Sequence, residues 1–360
     1  MQVDADVNGS YRPRVVLVTG ASRYFGGHVV CRLAVDPDIE RVVAVDVLTP
    51  APPLRRRMGR AEFVRADIRN PLIRKVIERY RVDTVVHTAI LSQPPSGGGS
   101  RAAMKDMNVL GAMQLFAVCQ KSPTVRRVVL RSSSGVYGGS AKDPAKFTEE
   151  MSARTPPGGW FARDMIEVEG FARGLARRRP DITTTTLRLA PIIGPGLGRR
   201  AAQLLRSPIT PTVLGRDARM QFLHEEDAVA ALVHATAAGP GGTFNIAGDG
   251  ALALSQAIRR AGRVAMPVPW SVFRTVGRTL MGPVMRDFSS EQLDYFLFGC
   301  GLDTTRMRAE LGFEPRWTTV QAFDDFTGGA ALRPVVDPLW IDAAENKLLG
   351  LLRAGTGAHT

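Results

Sequence analysis

The first residues in this 360-residue chain whose types and spacing could do chemistry are Val15-Val-Leu-Val-Thr-Gly-Ala-Ser-Arg-Tyr-Phe-Gly-Gly27, an apolar β-branched run passing through a glycine-bearing turn into a helical pattern. A strand that enters a helix in this way leaves backbone N–H groups free at the helix start. Those groups can receive a pyrophosphate, and the helix dipole adds to the attraction. Gly20 permits the tight turn, and Gly26 permits close packing of helix on strand. A glycine-spaced turn alone also fits an ordinary structural turn. Asp46, at the end of the next β-branched run, adds to the binding reading. A carboxylate there accepts hydrogen bonds from adenosine ribose hydroxyls and repels a 2′-phosphate, which favours NAD over NADP.

The elements that must position these groups alternate along the first half of the chain. Strands are expected at Val15–Val18, Val42–Val45, Glu62–Arg65, Thr84–Val86, Val128–Leu130 and Thr184–Leu187. Between them, Gly27–Leu33, Pro71–Tyr80, Met104–Gln120 and Phe161–Arg178 have helical spacing. Such alternation predicts βαβ units and an α/β fold with a doubly wound parallel sheet. From about Pro191 the pattern loosens into short strands with frequent Gly and Pro, which suggests a smaller mixed α/β lobe. Pro94–Gly99 and Pro156–Gly159 read as loops. Pro267–Gly301 is apolar, and Leu339–Leu352 has one apolar helix face, so both are expected to pack on the body or on a second subunit, as in a homodimer.

Composition bounds the function. Hydrophobic residues make up 44% and charged residues 22%, as in ordinary globular proteins, and no apolar run is long enough to span a bilayer. Met1–Arg14 lack the apolar stretch of a secretory signal, so a cytoplasmic protein is expected, folded from near Val15. Cys31, Cys119 and Cys300 are scattered as reduced core thiols would be, and no histidine pair has metal-ligand spacing. The net charge is +13, but only six of the 47 basic residues are lysine and the arginines are spread along the chain. A solvated basic surface accounts for this better than a nucleic-acid site, because no nucleic-acid-binding motif accompanies it.

An ordered series of motifs resembles the extended short-chain dehydrogenases, the family of NAD-dependent nucleotide-sugar epimerases and dehydratases such as UDP-glucose 4-epimerase. After the turn come Ala66-Asp67-Ile68-Arg69, His87-Thr88-Ala89, Asn108-Val109-x-Gly111, Ser132-Ser133-Ser134-Gly135-Val136-Tyr137-Gly138, Leu187-Arg188-Leu189, Phe222-Leu223-His224-Glu225-Glu226-Asp227 and Phe244-Asn245-Ile246. Leu302-Asp303-Thr304-Thr305 and Leu311-Gly312-Phe313-x-Pro315 close a resemblance covering residues 14 to 327. It implies a flexible N-terminus at 1–13, a Rossmann domain at 14–190, an interleaved substrate lobe at 191–327, and a tail with a helix at 328–360.

By the family pattern NAD would be held by Gly20, Arg23, Tyr24, Phe25 and Gly26. Asp46 would take the ribose, Asp67 and Ile68 would flank the adenine, Thr88 and Ala89 would line the cofactor, and Asn108 would brace that region. A nucleotide-sugar-like small molecule would be the partner. Arg23 departs from the pattern, since it stands where the family has its middle glycine. Its guanidinium either pairs with phosphate oxygens or fills the phosphate site itself.

The family's catalytic groups are Ser/Thr, Tyr and Lys, the Tyr phenol moving a proton while hydride moves to or from NAD. Ser133 matches the hydroxyl, but Phe161 and Met165 occupy the Tyr and Lys positions. The chain has no tyrosine between Tyr137 and Tyr295 and no lysine between Lys146 and Lys347, so realignment supplies neither. Losing a positioned acid/base costs on the order of 10²–10⁴-fold in rate. Arg163, Asp164, Glu167 and Glu169 share the neighbourhood, with Arg163 and Glu167 spaced for a surface ion pair, and His224 is expected at the lobe boundary. Two readings stay open: an epimerase or dehydratase using nonstandard acid/base groups, and a noncatalytic sensor or scaffold responsive to NAD or a sugar nucleotide.

Overall fold

The computed structural model describes residues 11–92, 100–154, 156–197, 208–269, 273 and 295–329. The expectations for Pro94–Gly99, for most of Pro267–Gly301 and for Leu339–Leu352 lie outside the described residues. Tyr11, ahead of the expected start of the fold, already bonds Thr84 Oγ1 through its hydroxyl at 3.0 Å.

Seven strands form one parallel sheet. They are β1 (Val15–Thr19), β2 (Arg41–Asp46), β3 (Glu62–Arg65), β4 (Thr84–His87), β5 (Arg127–Ser133), β6 (Thr183–Leu189) and β11 (Gly242–Ile246), in the order β11-β6-β5-β4-β1-β2-β3. The chain winds outward from β1 through β2 to β3, then returns to β4 on the other side of β1 and winds outward again. This is a doubly wound Rossmann sheet, with its switch point between β1 and β4, where such sheets open a crevice at the strands' C-terminal ends. Burial on both faces explains the near-continuous apolar runs in β1, β2 and β4. The strand Gly242–Ile246 pairs with β6, so the loosely patterned half of the sequence completes the main sheet.

Ten helices are described: α1 (Tyr24–Leu33), α2 (Pro52–Arg57), α3 (Ile73–Tyr80), α4 (Arg101–Lys105), α5 (Gly111–Lys121), α6 (Trp160–Arg178), α7 (Glu225–Ala238), α8 (Leu254–Arg260), α9 (Thr305–Ala309) and α10 (Thr319–Gly329). On the sheet, α1 packs beside α7, and α5 packs between α3 and α6. The single helix expected over Met104–Gln120 is broken. A π-helical turn at Asp106–Leu110 separates α4 from α5, and its extra residue re-aims the side chains it carries. Helix α2 has no amphipathic pattern and was not anticipated; its two prolines start it and three arginines end it.

The remaining strands pair as three two-stranded ribbons: β7 (Ile192–Ile193) with β10 (Leu223–His224), β8 (Ile209–Val213) with β13 (Val264–Val268), and β9 (Arg219–Met220) with β12 (Leu252–Ala253). Ile193, Met220, Phe222, Leu252, Phe323 and Phe326 belong to a second apolar core, separate from that of the large sheet. Among the described residues no helix is long and apolar enough to cross a membrane.

Candidate functional site

The turn from β1 to α1 lies at the switch point. Gly20 has φ +75°, and a Cβ there would come within 2.9 Å of the Cα and N of Ala89, just past β4. A Cβ on Gly26 would meet the Gly20 carbonyl oxygen at 2.3 Å. The two glycines therefore hold three backbone segments in contact, which no side chain would permit. Thr19 Oγ1 accepts from the N–H groups of Thr88 (3.2 Å) and Ala89 (3.3 Å), and Thr88 Oγ1 donates to Thr19 O at 2.6 Å.

Having accepted twice, the Thr19 hydroxyl has its proton left for His87 Nδ1 at 2.8 Å. His87 is then the Nε2–H tautomer, with that nitrogen buried and unpartnered among the described residues. Burial, together with the nearby Arg131 cation, lowers the His87 pKa to about 3. Thr88 and Ala89 thus fasten β4 to β1.

Helix α1 begins without a side-chain cap and without an acidic residue in its first turn. Its first N–H groups are left for another acceptor. Arg23 occupies the cap position in extended conformation, half-buried, with its N–H on Gly20 O at 3.0 Å. Tyr24 and Phe25 follow as a half-buried edge-to-face pair with ring centroids 5.4 Å apart. Burial, with Glu225 and Glu226 nearby, raises the Tyr24 phenol pKa, so that group stays protonated. Asp46 is buried at the end of β2. Its Oδ2 accepts from Ser22 N (3.0 Å) and Ser22 Oγ (2.5 Å), which ties the turn down, while Oδ1 takes Leu48 N at 3.3 Å.

Farther along the edge, the Arg69 fork grips Asp67, with Nη2 to Oδ2 at 2.6 Å and Nε to Oδ1 at 3.0 Å, and holds that carboxyl below its usual range. Ile68 is buried beneath Gly111, where a Cβ would lie 2.8 Å from Ile68 Cδ1. Asn108, on the π-helical turn, accepts from Leu91 N (2.8 Å), donates to Leu91 O (2.9 Å) and reaches Asp164 Oδ2 (3.3 Å). It thereby joins the loop after β4 to α6.

The start of α6 has a different character. Met165 is fully buried in the main core, and half-buried Phe161 packs against that core with its ring 6.2 Å from that of Trp160. Neither can donate or accept a proton. Ser133 is half-buried, and its Oγ accepts from Gly135 N at 3.1 Å, a local turn that ends β5. Asp164 is buried, and desolvation raises its carboxyl pKa.

The expected Arg163–Glu167 pair does not form. Arg163 donates to Pro157 O at 2.8 Å, and Glu167 meets Lys105 at 3.2 Å, because α4 brings a closer cation to that face. Glu169 belongs to a buried network: it accepts from Arg188 (2.8 Å) and Ser132 Oγ (2.6 Å), and Arg188 also bonds the Tyr137 hydroxyl (2.8 Å) and Glu149 O (3.0 Å). Its sequence signal was Arg188 inside an apolar strand, since a cation there requires a partner.

Arg131, one residue before the serines, was also overlooked, hidden among many arginines. Its Cζ lies 4.7 Å from the Phe25 ring centroid, and burial with Arg23 nearby lowers its pKa to about 10. His224 bonds Asp325 Oδ2 at 3.0 Å, caps α7 by accepting from Glu226 N, and stacks on Trp317. It thus ties α7 to α10.

Comparison with known proteins places the fold and the relatives. The uncharacterized protein Rv0501 of Mycobacterium tuberculosis is 53% identical over 339 residues, covering 94% of this chain and 90% of its own. UDP-glucose 4-epimerase of Erwinia amylovora is 28% identical over 182 residues, 48% of this chain and 52% of that one. Among solved structures, UDP-glucose 4-epimerase of Thermotoga maritima with UDP-glucose shares the fold at a TM-score of 0.65 and 19% identity, covering 88% of this chain and 98% of its own. So does dTDP-glucose 4,6-dehydratase of Bacillus anthracis in complex with NAD, at 0.65 and 18%, covering 88% and 96%. The model of the NAD dependent epimerase/dehydratase family matches residues 16–247, and the chain belongs to that family, whose cofactor is NAD.

Proposed function

We propose that this protein holds NAD at the β1–α1 turn and binds a nucleotide-sugar-like ligand, but does not run the proton transfer on which standard epimerase chemistry depends. The observation that carries this reading is Met165, fully buried and apolar, one helical turn beyond Phe161. Bound NAD would supply a hydride acceptor. The chain's own residues would do the holding. Gly20 and Gly26 keep the turn narrow, Tyr24 and Phe25 open α1 with N–H groups left for an acceptor behind Arg23 at the cap, and Asp46 would take the adenosine ribose. Asp67 and Ile68 would flank the adenine, while Thr88, Ala89 and Asn108 would line the cofactor after β4.

Ser133 would retain a hydroxyl at the sugar, with no phenol or ammonium to complete the relay. The free thiols Cys31, Cys119 and Cys300 suit a reducing cytoplasm. The same apolar pair favours a second reading, a noncatalytic protein whose small lobe responds to cofactor or sugar nucleotide.

Denaturing the purified protein and identifying the released small molecule tests the first part, with NAD as the expected product. A panel of UDP- and dTDP-sugars then tests the second, with NAD retained and no sugar converted. Conversion of any of them, or failure to find or bind NAD, overturns the proposal. Phe161→Tyr with Met165→Lys is expected to restore sugar-dependent reduction of the bound cofactor if the protein folds with the added ammonium.

A further inference from the structure

Three other buried or half-buried arginines have oxygen partners. Arg188 pairs with Glu169, Arg127 donates to the carbonyls of Ala235 and Gly239, and Arg179 is gripped by Asp181. Arg23 and Arg131 differ. Both are half-buried, and neither meets a carboxylate or carbonyl through its guanidinium among the described residues. They nevertheless come to the same helix start, Arg131 over the Phe25 ring and Arg23 two residues before it, and the Arg23 charge lowers the Arg131 pKa.

The geometry brings them together from two elements. Along β5, Ser132 turns to Glu169 on α6, so its neighbour Arg131 must turn to the opposite face, where it lies over Phe25 of α1. Arg23 stands at the uncapped start of that same helix. His87, also near Arg131, is neutral and contributes no negative charge. Two cations without a carboxylate partner and an open helix N-terminus therefore share one place; the nearby Glu225 is engaged elsewhere, on Gly196 N at 2.9 Å. Like charges gathered in this way cost stability unless something negative arrives.

From this juxtaposition we infer that Arg23 and Arg131 form a two-arginine clamp for the pyrophosphate of a dinucleotide, replacing the close backbone approach that a glycine at position 23 would allow. The inference rests on the NAD reading above and adds a residue, Arg131, and a mode of holding. A pyrophosphate carries two negative charges on oxygens that guanidinium forks match, so each arginine gains an anionic partner when it binds.

The test is calorimetric titration of the full chain, stripped of ligand, with NAD, ADP-ribose, inorganic pyrophosphate and adenosine. The variants are Arg131→Met, Arg131→Lys and Arg23→Gly. Arg131→Met is expected to weaken NAD, ADP-ribose and pyrophosphate by about ten-fold or more and leave adenosine unchanged, while Arg131→Lys retains most of the affinity. Without ligand, Arg131→Met should melt no lower than the parent, because it removes an unpaired charge; a purely structural arginine would give the opposite. Should that variant not fold, Arg131→Gln carries the same comparison.

Unchanged binding of NAD and pyrophosphate by Arg131→Met overturns the clamp and leaves NAD binding intact. Tighter NAD binding by Arg23→Gly also overturns it, since Arg23 would then be occupying the phosphate site. Arginine-dependent binding of pyrophosphate without binding of NAD keeps the clamp and removes the NAD reading. A parent protein that binds none of the phosphate ligands overturns both.

Discussion

The turn between β1 and α1 and the first turns of α6 serve the same edge of the sheet with opposite materials. At the turn, Gly20 and Gly26 bring backbones into contact, and the start of α1 keeps its N–H donors free beside two unpaired arginines. On α6, Phe161 and Met165 fill their space with carbon, and the nearby polar groups Asp164, Glu167 and Glu169 are each committed to a neighbour. One region leaves donors and cations open. The other is built as core. The difference teaches that a family's cofactor geometry and its acid/base chemistry depend on separate residues, so one can persist without the other.

The largest test of the comparison is Gly26→Ala. A methyl 2.3 Å from the Gly20 oxygen cannot be relieved by a side-chain rotation, so unfolding free energy should fall by about 4 kcal/mol or more and NAD binding should vanish. Chemical denaturation and a binding titration measure both. If the loss is slight, the turn is less tightly held than its geometry implies.

Next is Arg188→Met, which leaves Glu169 buried with its main partner removed and should cost about 3 kcal/mol in the same denaturation. A loss of that size with NAD affinity retained would confirm that the α6 network is structural support.

The acid limit comes third. His87 titrates near 3 when folded and near 6.5 when unfolded, so between those values the unfolded chain binds the extra proton. The stability from neutral His87 is therefore full above about pH 6.5 and is lost as pH falls toward 3, by at most ~1.4 kcal/mol per pH unit. His87→Gln keeps an acceptor for Thr19 and should flatten that slope in acid unfolding monitored by circular dichroism. The smallest effect belongs to Glu167→Gln on the exposed face of α6. That ion pair with Lys105 is close to half exposed on both sides and should shift stability by no more than ~0.5 kcal/mol.

Much of this was legible in the chain. The β-branched runs announced six of the seven sheet strands, and the ordered motifs announced the family. The sequence also showed that Tyr and Lys are missing, because residue identity needs no coordinates. What it could not show is where the charges meet. Glu169 and Arg188 are nineteen residues apart, and although Arg188 in its apolar strand called for a partner, nothing named Glu169 until β6 and α6 packed together. The π-helical turn was hidden because it differs from the helices on either side only in hydrogen bonds that span one residue more. Arg131 was lost among arginines of identical type.

By itself, then, the sequence determined the strand order's alphabet, the glycine turn and the apolar character of positions 161 and 165, since these follow from local periodicity and side-chain chemistry. Only the tertiary structure decided that Arg23 and Arg131 come to the same helix start without a carboxylate partner, that Asp46 ties down Ser22, and that Met165 lies sealed in the core. Burial and pairing are properties of segments brought together from distant parts of the chain, and no local pattern encodes them.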